Sequence, residues 1–590
     1  MGGCFLIAID FGTAYSGYAF CVSSKHSEPR PRVPKWGQEH GFNSPKTPTC
    51  ILFDEHEEFK KFGYDAKMAY TKMHGADAQK HFLFENFKME LYGKTINKNL
   101  MIKAQNGKSM SALKITAETL RYLKDHALET IGDHTSGRQF IASDVTWVLT
   151  VPAIWDAAAK QFMREAATEA GLVTDLNSDS LILALEPEAA SVWCKKLPSD
   201  GFISEEINED TLEQTPGTKY MVVDCGGGTI DITVHEVLQG GTLKELDKAS
   251  GNDMGGGTVD KKFKMFLREI FSDELWDEYE KDYAPELQKM MYDFSILKGS
   301  DDEIEISCPF NLGELAKKYH SEMSDFFKKI QGASWEEGSI KITKEKLQSF
   351  FDDSFKGITN SVRQILKSKS KDNPEGLSID FILLVGGYAS CNTLRSHIQR
   401  QFSGQCKVLF PTDPQEVIIK GAVWFGKNPN VVSSRVSALT YGIAVSERFD
   451  ESKHKPENLF TTNDGTEYCC DVFKKLVQKG ESVGCDEVRE HTFTPISSDQ
   501  TEIPFIFFST ERLNVKNVDE WGLDRIGSFI VQSPDTTKGL DRSIRLEIKF
   551  GFTEIQATAT DIESKKTKSI KLDFLRNKNT STYDAKLFAN

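Results

Sequence analysis

Two segments of this chain carry the residue types of a phosphate and metal site. One is IAIDFGTAYSG, Ile7 to Gly17; the other is MVVDCGGGTID, Met221 to Asp231. Each is an apolar run, an aspartate, a knot of glycine and threonine, and then more apolar, strand-like sequence. Glycine lets the backbone turn tightly and approach a ligand with no Cβ in the way. Successive N–H groups in such a turn form an anion-binding concavity suited to phosphate. Asp10 and Asp224, at the strand ends, are placed to hold a metal ion or its waters. Two such hairpins facing one another would grip a nucleoside triphosphate from both sides. One glycine turn alone is an ordinary hairpin signal; two in the same register relative to their strands are far less common by chance. The pattern is neither a Walker A motif nor a dinucleotide fingerprint, because no GxxxxGK precedes a hydroxyl residue and no GxGxxG opens a helix.

The elements that must position these residues alternate between strand and helix. Val145 to Val151 reads as a buried strand stopped by Pro152, and Ala157 to Ala170 as a helix with Phe162, Ala166 and Ala170 on one stripe. Leu181 to Leu185 is a strand with Glu186-Pro187 at its carboxyl end. Residues 197–219, polar with two prolines, read as an inserted loop. A helix follows Met254 to Gly257; residues 275–371 read as charged and mostly helical, with a hairpin around Glu303 to Phe310. Phe381 to Val385 is a buried strand ending in Gly386-Gly387, with a helix through Leu394, Ile398 and Phe402. Near Val431 the helical period fades. Ile544, Leu546, Ile548 and Phe550, then Ile555, Ala557 and Ala559, then Ile570, Leu572 and Phe574 alternate as antiparallel strands with one buried face. The expected organisation is an α/β nucleotide-binding unit over 1–430, a β-sandwich-like unit over 435–576 and a polar tail over 577–590.

At 590 residues the chain is too long for one core. Hydrophobic residues at 39% and charged residues at 27% are ordinary for a globular protein. A net charge of −15 argues against nucleic acid or an anionic membrane as the main partner. The 11 scattered cysteines, some inside apolar runs, imply free thiols and a reducing, cytoplasmic compartment. Phe5 to Ile9 is too short for a signal peptide, and no run approaches the roughly 18 apolar residues of a membrane span.

With these residues assembled, the chain resembles the 70-kilodalton heat-shock chaperone family, whose ATPase domain shares the actin and sugar-kinase fold. Five segments carry the resemblance: Ile7 to Gly17, VLTVPAIWDAAAKQFMREAATEAGL, LALEPEAA, Met221 to Asp231 and LLVGGYASCNTL. The strands RLEIKFGFTEIQATATDIESKKTKSIKL resemble the end of that family's β-sandwich substrate domain. The divergence is most like the family's atypical twelfth subgroup. The resemblance implies a two-lobed actin-like ATPase fold followed by an all-β sandwich-like domain, with no C-terminal helical lid. It implies ATP or ADP with Mg²⁺ held through water by Asp10 and Asp224. Gly12, Thr13, Ala14 and Tyr15 match the first phosphate loop, and Gly226, Gly227, Gly228 and Thr229 the second. Glu186 matches the glutamate that orients the metal shell and attacking water, and Lys88 the lysine beside the γ-phosphate. Gly386, Gly387 and Tyr388 match the turn that packs on adenosine. Without the resemblance, Lys88 reads as a surface charge and Glu186 as a strand end.

Departures from the family pattern bear on coupling. Ala14 stands where the family commonly has threonine, and Lys160 where it has an arginine thought to relay the nucleotide state; Pro152, the relay's partner, is kept. Only Lys298 is basic in Ser295 to Gly299, where a basic pair flanks adenosine in the family. Val431 to Ala438 replaces the acidic, leucine-rich linker. The expectation is a weak ATPase, loosely coupled to a lidless β-domain open to protein or peptide clients. A nucleotide-gated scaffold with little hydrolysis and a small-molecule kinase of the same fold remain the alternatives.

Overall fold

The protein is described from a computed structural model covering residues 5–22, 28–94, 96–135, 137–203, 212–319, 322–368, 376–550 and 554–571. Strand β1 (Phe5–Phe11) is buried on both faces along its whole length. That is how a strand behaves when flanked by others and covered by helices. It turns back into β2 (Tyr15–Val22), which pairs with the two-residue β3 (Thr47–Pro48); β4 (Val145–Val151) and β5 (Leu181–Leu185) lie parallel on the other side. The sheet order is β5-β4-β1-β2-β3.

A second sheet repeats this plan. It holds β6 (Phe202–Ile203), β7 (Lys219–Cys225), β8 (Ile230–Val237), β9 (Leu243–Asn252), β10 (Phe381–Val385) and β11 (Lys407–Pro411). Its middle runs β11-β10-β7-β8-β9, with the same parallel and antiparallel partners as the first. The duplicated topology places Asp10 opposite Gly17 and Asp224 opposite Asp231 in matching hairpins.

Helix α1 (Ala112–His134) covers the first sheet, and α2 (Ala157–Glu169) starts where Asp156 accepts the Ala159 N–H at 2.8 Å. Helix α3 (Glu186–Cys194) follows β5 directly, with Pro187 in its first turn. Helices α4 (Gly257–Phe271) and α5 (Ala284–Leu297) belong to the second lobe, and α6 (Val417–Lys427) packs with α3 between the sheets. A Cβ at Gly421 would collide with the Ala189 carbonyl, so this glycine permits close approach of α6 to α3. Each lobe has its own core, and a third lies between them, built on residues such as Ala8, Val148, Val222, Leu383 and Val423.

The hairpin expected at Glu303 to Phe310 is corrected. Ile304–Ser307 pairs with Ser339–Ile342, and Pro309 instead opens a helix at Phe310–Lys318. Beyond β12 (Val432–Val436) the described elements are strands, apart from one short 3-10 turn at Pro456–Asn458. One sheet runs Leu459–Thr461, Glu467–Val477, Thr440–Arg448, Glu502–Thr510, Leu523–Gln532; the other runs Val488–Phe493, Ile544–Lys549, Gln556–Asp561, Thr567–Lys571. Their facing sides bury Ile443, Phe505 and Phe507, together with Ile544, Leu546, Ile548, Ala557 and Ala559, the last five as the alternation predicts. The Ile570 side chain, Leu572, Phe574, the tail 577–590 and residues 204–211 of the expected inserted loop lie outside the described residues.

Candidate functional site

Four carboxylates and two ammonium groups meet where the two hairpins face each other. Asp10 is the penultimate residue of β1 and Asp224 of β7, Glu186 opens α3 and Asp231 lies on β8; all are buried. Lys88 is 2% exposed on the short 3-10 segment Phe87–Leu91, and its Nζ donates to Glu186 Oε1 at 2.7 Å. Its ammonium lies 5.8 Å from the Phe11 ring centroid and 5.2 Å from that of Trp155. The loosest of the motif matches is thus placed beside Glu186.

Asp10 is engaged at both oxygens. Lys46 Nζ donates to Oδ2 at 2.5 Å and Thr150 Oγ1 to Oδ1 at 3.0 Å. Asp224 Oδ1 is buried with no hydrogen-bond donor. Burial first, then the neighbouring charges of Glu186, Asp231 and Asp10, pushes the Asp224 carboxyl well above its ordinary range. Burial likewise raises Glu186, against the pull of Lys88, and raises Asp231. Two lysines do not neutralise four carboxylates, so the donor set fits a divalent cation. An oxygen-only set with a bare aspartate oxygen suits Mg²⁺, which keeps most of its waters and takes few carboxylates.

The loops around this cluster are held from behind. Thr49 Oγ1 donates to the Gly12 carbonyl at 2.7 Å and the Thr49 N–H to the Ala14 carbonyl at 2.8 Å. The carbonyls of Gly226, Gly227 and Gly228 accept from Gly256, Gly257 and Gly255 at the start of α4. The two loops abut: a Cβ on Gly227 would lie 2.6 Å from the Ala14 Cβ, and one on Gly228 2.6 Å from Thr13 Oγ1. Thr13 and Thr229 are buried at this junction, and Tyr15 is 40% exposed.

On the side expected for adenosine, Gly386 has φ 89° and packs so tightly on Asp224 that a Cβ would strike Oδ1. Gly387 begins the next short turn, with open space where a Cβ would project. Tyr388 follows in the same short turn. Its ring is buried in the second-lobe core, 6.3 Å from that of Phe351 and against Gly256. Lys298 is tied to Asp260 at 2.7 and 2.8 Å and to the Gly256 carbonyl at 3.1 Å.

Sequence reasoning missed Lys46 and left Asp231 without a role. Asp231 accepts the Ile154 N–H at 2.9 Å, which ties the segment after Pro152 to the charge cluster. Its signal was its place in the second motif, paired with Asp224. Lys46 had no motif.

The linker segment makes buried contacts that its sequence did not announce. Residues Val432–Val436 form β12, which adds to the second sheet parallel to β9 and is paired in turn by Ser482–Gly484. Arg435 makes a buried bidentate pair with Glu188, Nε to Oε1 at 2.8 Å and Nη2 to Oε2 at 2.7 Å. Glu245 accepts the Val436 N–H at 2.7 Å. Burial and the nearby Glu188 push the Glu245 carboxyl up to about 8. Arg164 of α2, 1% exposed, grips Glu554 of the β-sandwich with two bonds of 2.6 Å. Lys160 lies in the field of Glu188 and Arg435, and burial holds it below its ordinary value. These charge pairs join the α/β lobes to the linker strand and to the β-sandwich.

Residues 46–470 match the family model described as Hsp70 protein. The chain belongs to the Hsp70 family. Among Hsp70 relatives, it is 35% identical over 624 aligned residues to Heat shock 70 kDa protein 12A of Mus musculus, covering 97% of this chain and 91% of the relative. The 12A protein of Homo sapiens is 34% identical at the same coverage, and Heat shock 70 kDa protein 12B of Homo sapiens 32%. The resemblance to the twelfth Hsp70 subgroup and to its actin-like α/β ATPase fold therefore holds. Among the described residues no helix is long and apolar enough to cross a membrane.

Proposed function

We propose that this chain binds ATP and ADP with Mg²⁺ between its two glycine hairpins, hydrolyses ATP slowly, and passes the nucleotide state to a β-sandwich that holds protein or peptide clients. One observation carries the reading: matching hairpins on duplicated sheets bring Asp10, Asp224, Glu186 and Lys88 into one buried charge cluster. The metal, when bound, supplies charge neutralisation on the phosphates and orders water around them.

The chain's own groups do the rest. Asp224 offers a bare oxygen to the metal's water shell, with Asp10 across the cleft. Lys88, pinned between Phe11, Trp155 and Glu186, presents a fixed positive charge where the γ-phosphate gains charge in the transition state. The raised Glu186 carboxyl suits a group that orients water and accepts its proton near neutral pH. The first turn of α3 holds both Glu186 and Glu188, so the water-orienting group and the linker's partner share one rigid element. Arg435 and Glu554 are the contacts through which the nucleotide state would reach the β-sandwich, with weak coupling still the expectation from sequence.

The ten described cysteines are free and mostly buried, which supports a reducing, cytoplasmic setting. A binding scaffold with little turnover draws support from Ala14, which brings no hydroxyl to the phosphate loop. Single-turnover hydrolysis of bound ATP tests the choice. Conversion to ADP that stops in Lys88→Ala supports the ATPase; ATP retained intact by the wild-type chain supports the scaffold.

A further inference from the structure

Lys46 has no place in either glycine motif, yet it reaches the centre of the charge cluster. It immediately precedes β3, whose pairing sets Tyr15 against Pro48 and Ser16 against Thr47. The next step of that register puts Lys46 beside Gly17, and Gly17 is itself the partner of Asp10. Directly opposed residues of neighbouring antiparallel strands share a face of the sheet. Asp10, Gly17 and Lys46 therefore stand in a row across β1, β2 and β3. Gly17 is the gap in that row: a Cβ there would lie 3.2 Å from Lys46 Cγ and 3.1 Å from the Pro45 carbonyl. With only hydrogen on Gly17, the lysine stem crosses β2 and brings Nζ to Asp10 Oδ2 at 2.5 Å. The Lys46 side chain is 11% exposed and that of Asp10 3%. The row extends on the far side to Thr150 of β4, which holds the other Asp10 oxygen at 3.0 Å.

We propose that Lys46 is a built-in cation of the phosphate site, which takes over at Asp10 the charge a divalent ion would supply and lets the site hold ADP without that ion. The proposal rests on the nucleotide-binding reading and deepens it. A polyphosphate entering this cleft meets four carboxylates. A cation must offset at least part of that repulsion, and the Lys46 ammonium stands against Asp10. An ammonium group is a compact charge with three donors, able to hold a carboxylate and a phosphate oxygen at once. With both Asp10 oxygens engaged, Asp224 is the carboxylate left with a bare oxygen for a metal's water shell. Metal then tunes the site rather than building it.

The test is calorimetric titration of the full chain with ADP, in Mg²⁺ and again in excess EDTA. The wild-type affinity is expected to fall less than about tenfold on removing Mg²⁺. Lys46→Met keeps the length of the side chain and drops its charge. Its affinity is expected to fall more than about a hundredfold in EDTA, with Mg-ADP affinity within about tenfold of wild type. Lys46→Arg keeps the charge and should follow the wild type. Wild-type protein that releases all its ADP in EDTA, yet binds Mg-ADP, overturns the proposal and leaves the nucleotide reading standing. So does Lys46→Met behaving as wild type in EDTA. No ADP binding in either buffer takes down both. Should Lys46→Met fail to fold by circular dichroism, the wild-type ratio and Lys46→Arg decide.

Discussion

Replacing Arg435 by methionine removes the charge that holds β12 on the second sheet. Glu188 is fully buried, and its carboxylate accepts both bonds of 2.8 and 2.7 Å from that guanidinium. Leaving such a carboxylate without its partner costs about 3–5 kcal/mol. Strand β12 is five residues long and ends where Val436 is held by Glu245, so the cost should appear as local undocking before global unfolding. At about 1.4 kcal/mol per tenfold, amide exchange in Val432–Val436 should accelerate at least a hundredfold. Hydrogen exchange by mass spectrometry reads this directly, with β7 as the internal control. The double variant Arg435→Met with Glu188→Met removes both charges, and because a buried pair can be replaced by apolar groups at little cost, most of the protection should return. The interaction energy from the cycle should exceed about 2 kcal/mol. Exchange in Arg435→Met within threefold of wild type, or a double variant as labile as the single, would refute the claim that this pair docks the linker.

The other predictions follow from the same contacts. Lys88→Ala should slow single-turnover hydrolysis by more than about a hundredfold while changing nucleotide affinity by less than about tenfold, because its charge acts mainly on the transition state; equal losses in both would make it a simple binding group. Glu245 has its folded pKa raised to about 8, so between its ordinary value of 4.5 and that pH the folded protein carries a proton the unfolded chain lacks. That contribution is fully present below about pH 4.5 and lost as pH rises toward 8; thermal melts should fall over this window, and Glu245→Gln should flatten the fall. Arg164→Ala frees a buried Glu554 contact and should narrow the difference in client or peptide affinity between the ATP and ADP states; an unchanged ratio would show that α2 carries no coupling.

Much of the site was legible because its residues sit in short local patterns. An aspartate before a glycine turn announces a hairpin wherever it stands, and two such turns foretold the facing loops around Asp10 and Asp224. Alternation at Ile544, Leu546 and Ile548 is a property of one strand, so it too survived translation to structure. Lys46 did not announce itself, because its place depends on the pairing of a two-residue strand and on the missing side chain of Gly17. Arg435 and Glu188 are 247 positions apart, and nothing local marks two opposite charges as partners. Tyr388 follows a glycine turn at the cleft, but the sequence does not say which way a ring points; it turned into the lobe core beside Phe351.

The central claim is that the paired hairpins form a nucleotide site organised by Asp224. Calorimetric titration of the wild-type chain and of Asp224→Asn with Mg-ATP tests it most directly. The amide keeps the size of the side chain and removes a carboxylate that burial and three neighbouring acids already disfavour, so the variant should fold at least as stably as the parent. The account predicts one nucleotide per wild-type chain and a loss of at least about tenfold in Mg-ATP affinity in Asp224→Asn. A folded wild-type chain that takes up no nucleotide, or an Asp224→Asn variant that binds Mg-ATP as tightly as its parent, would contradict it.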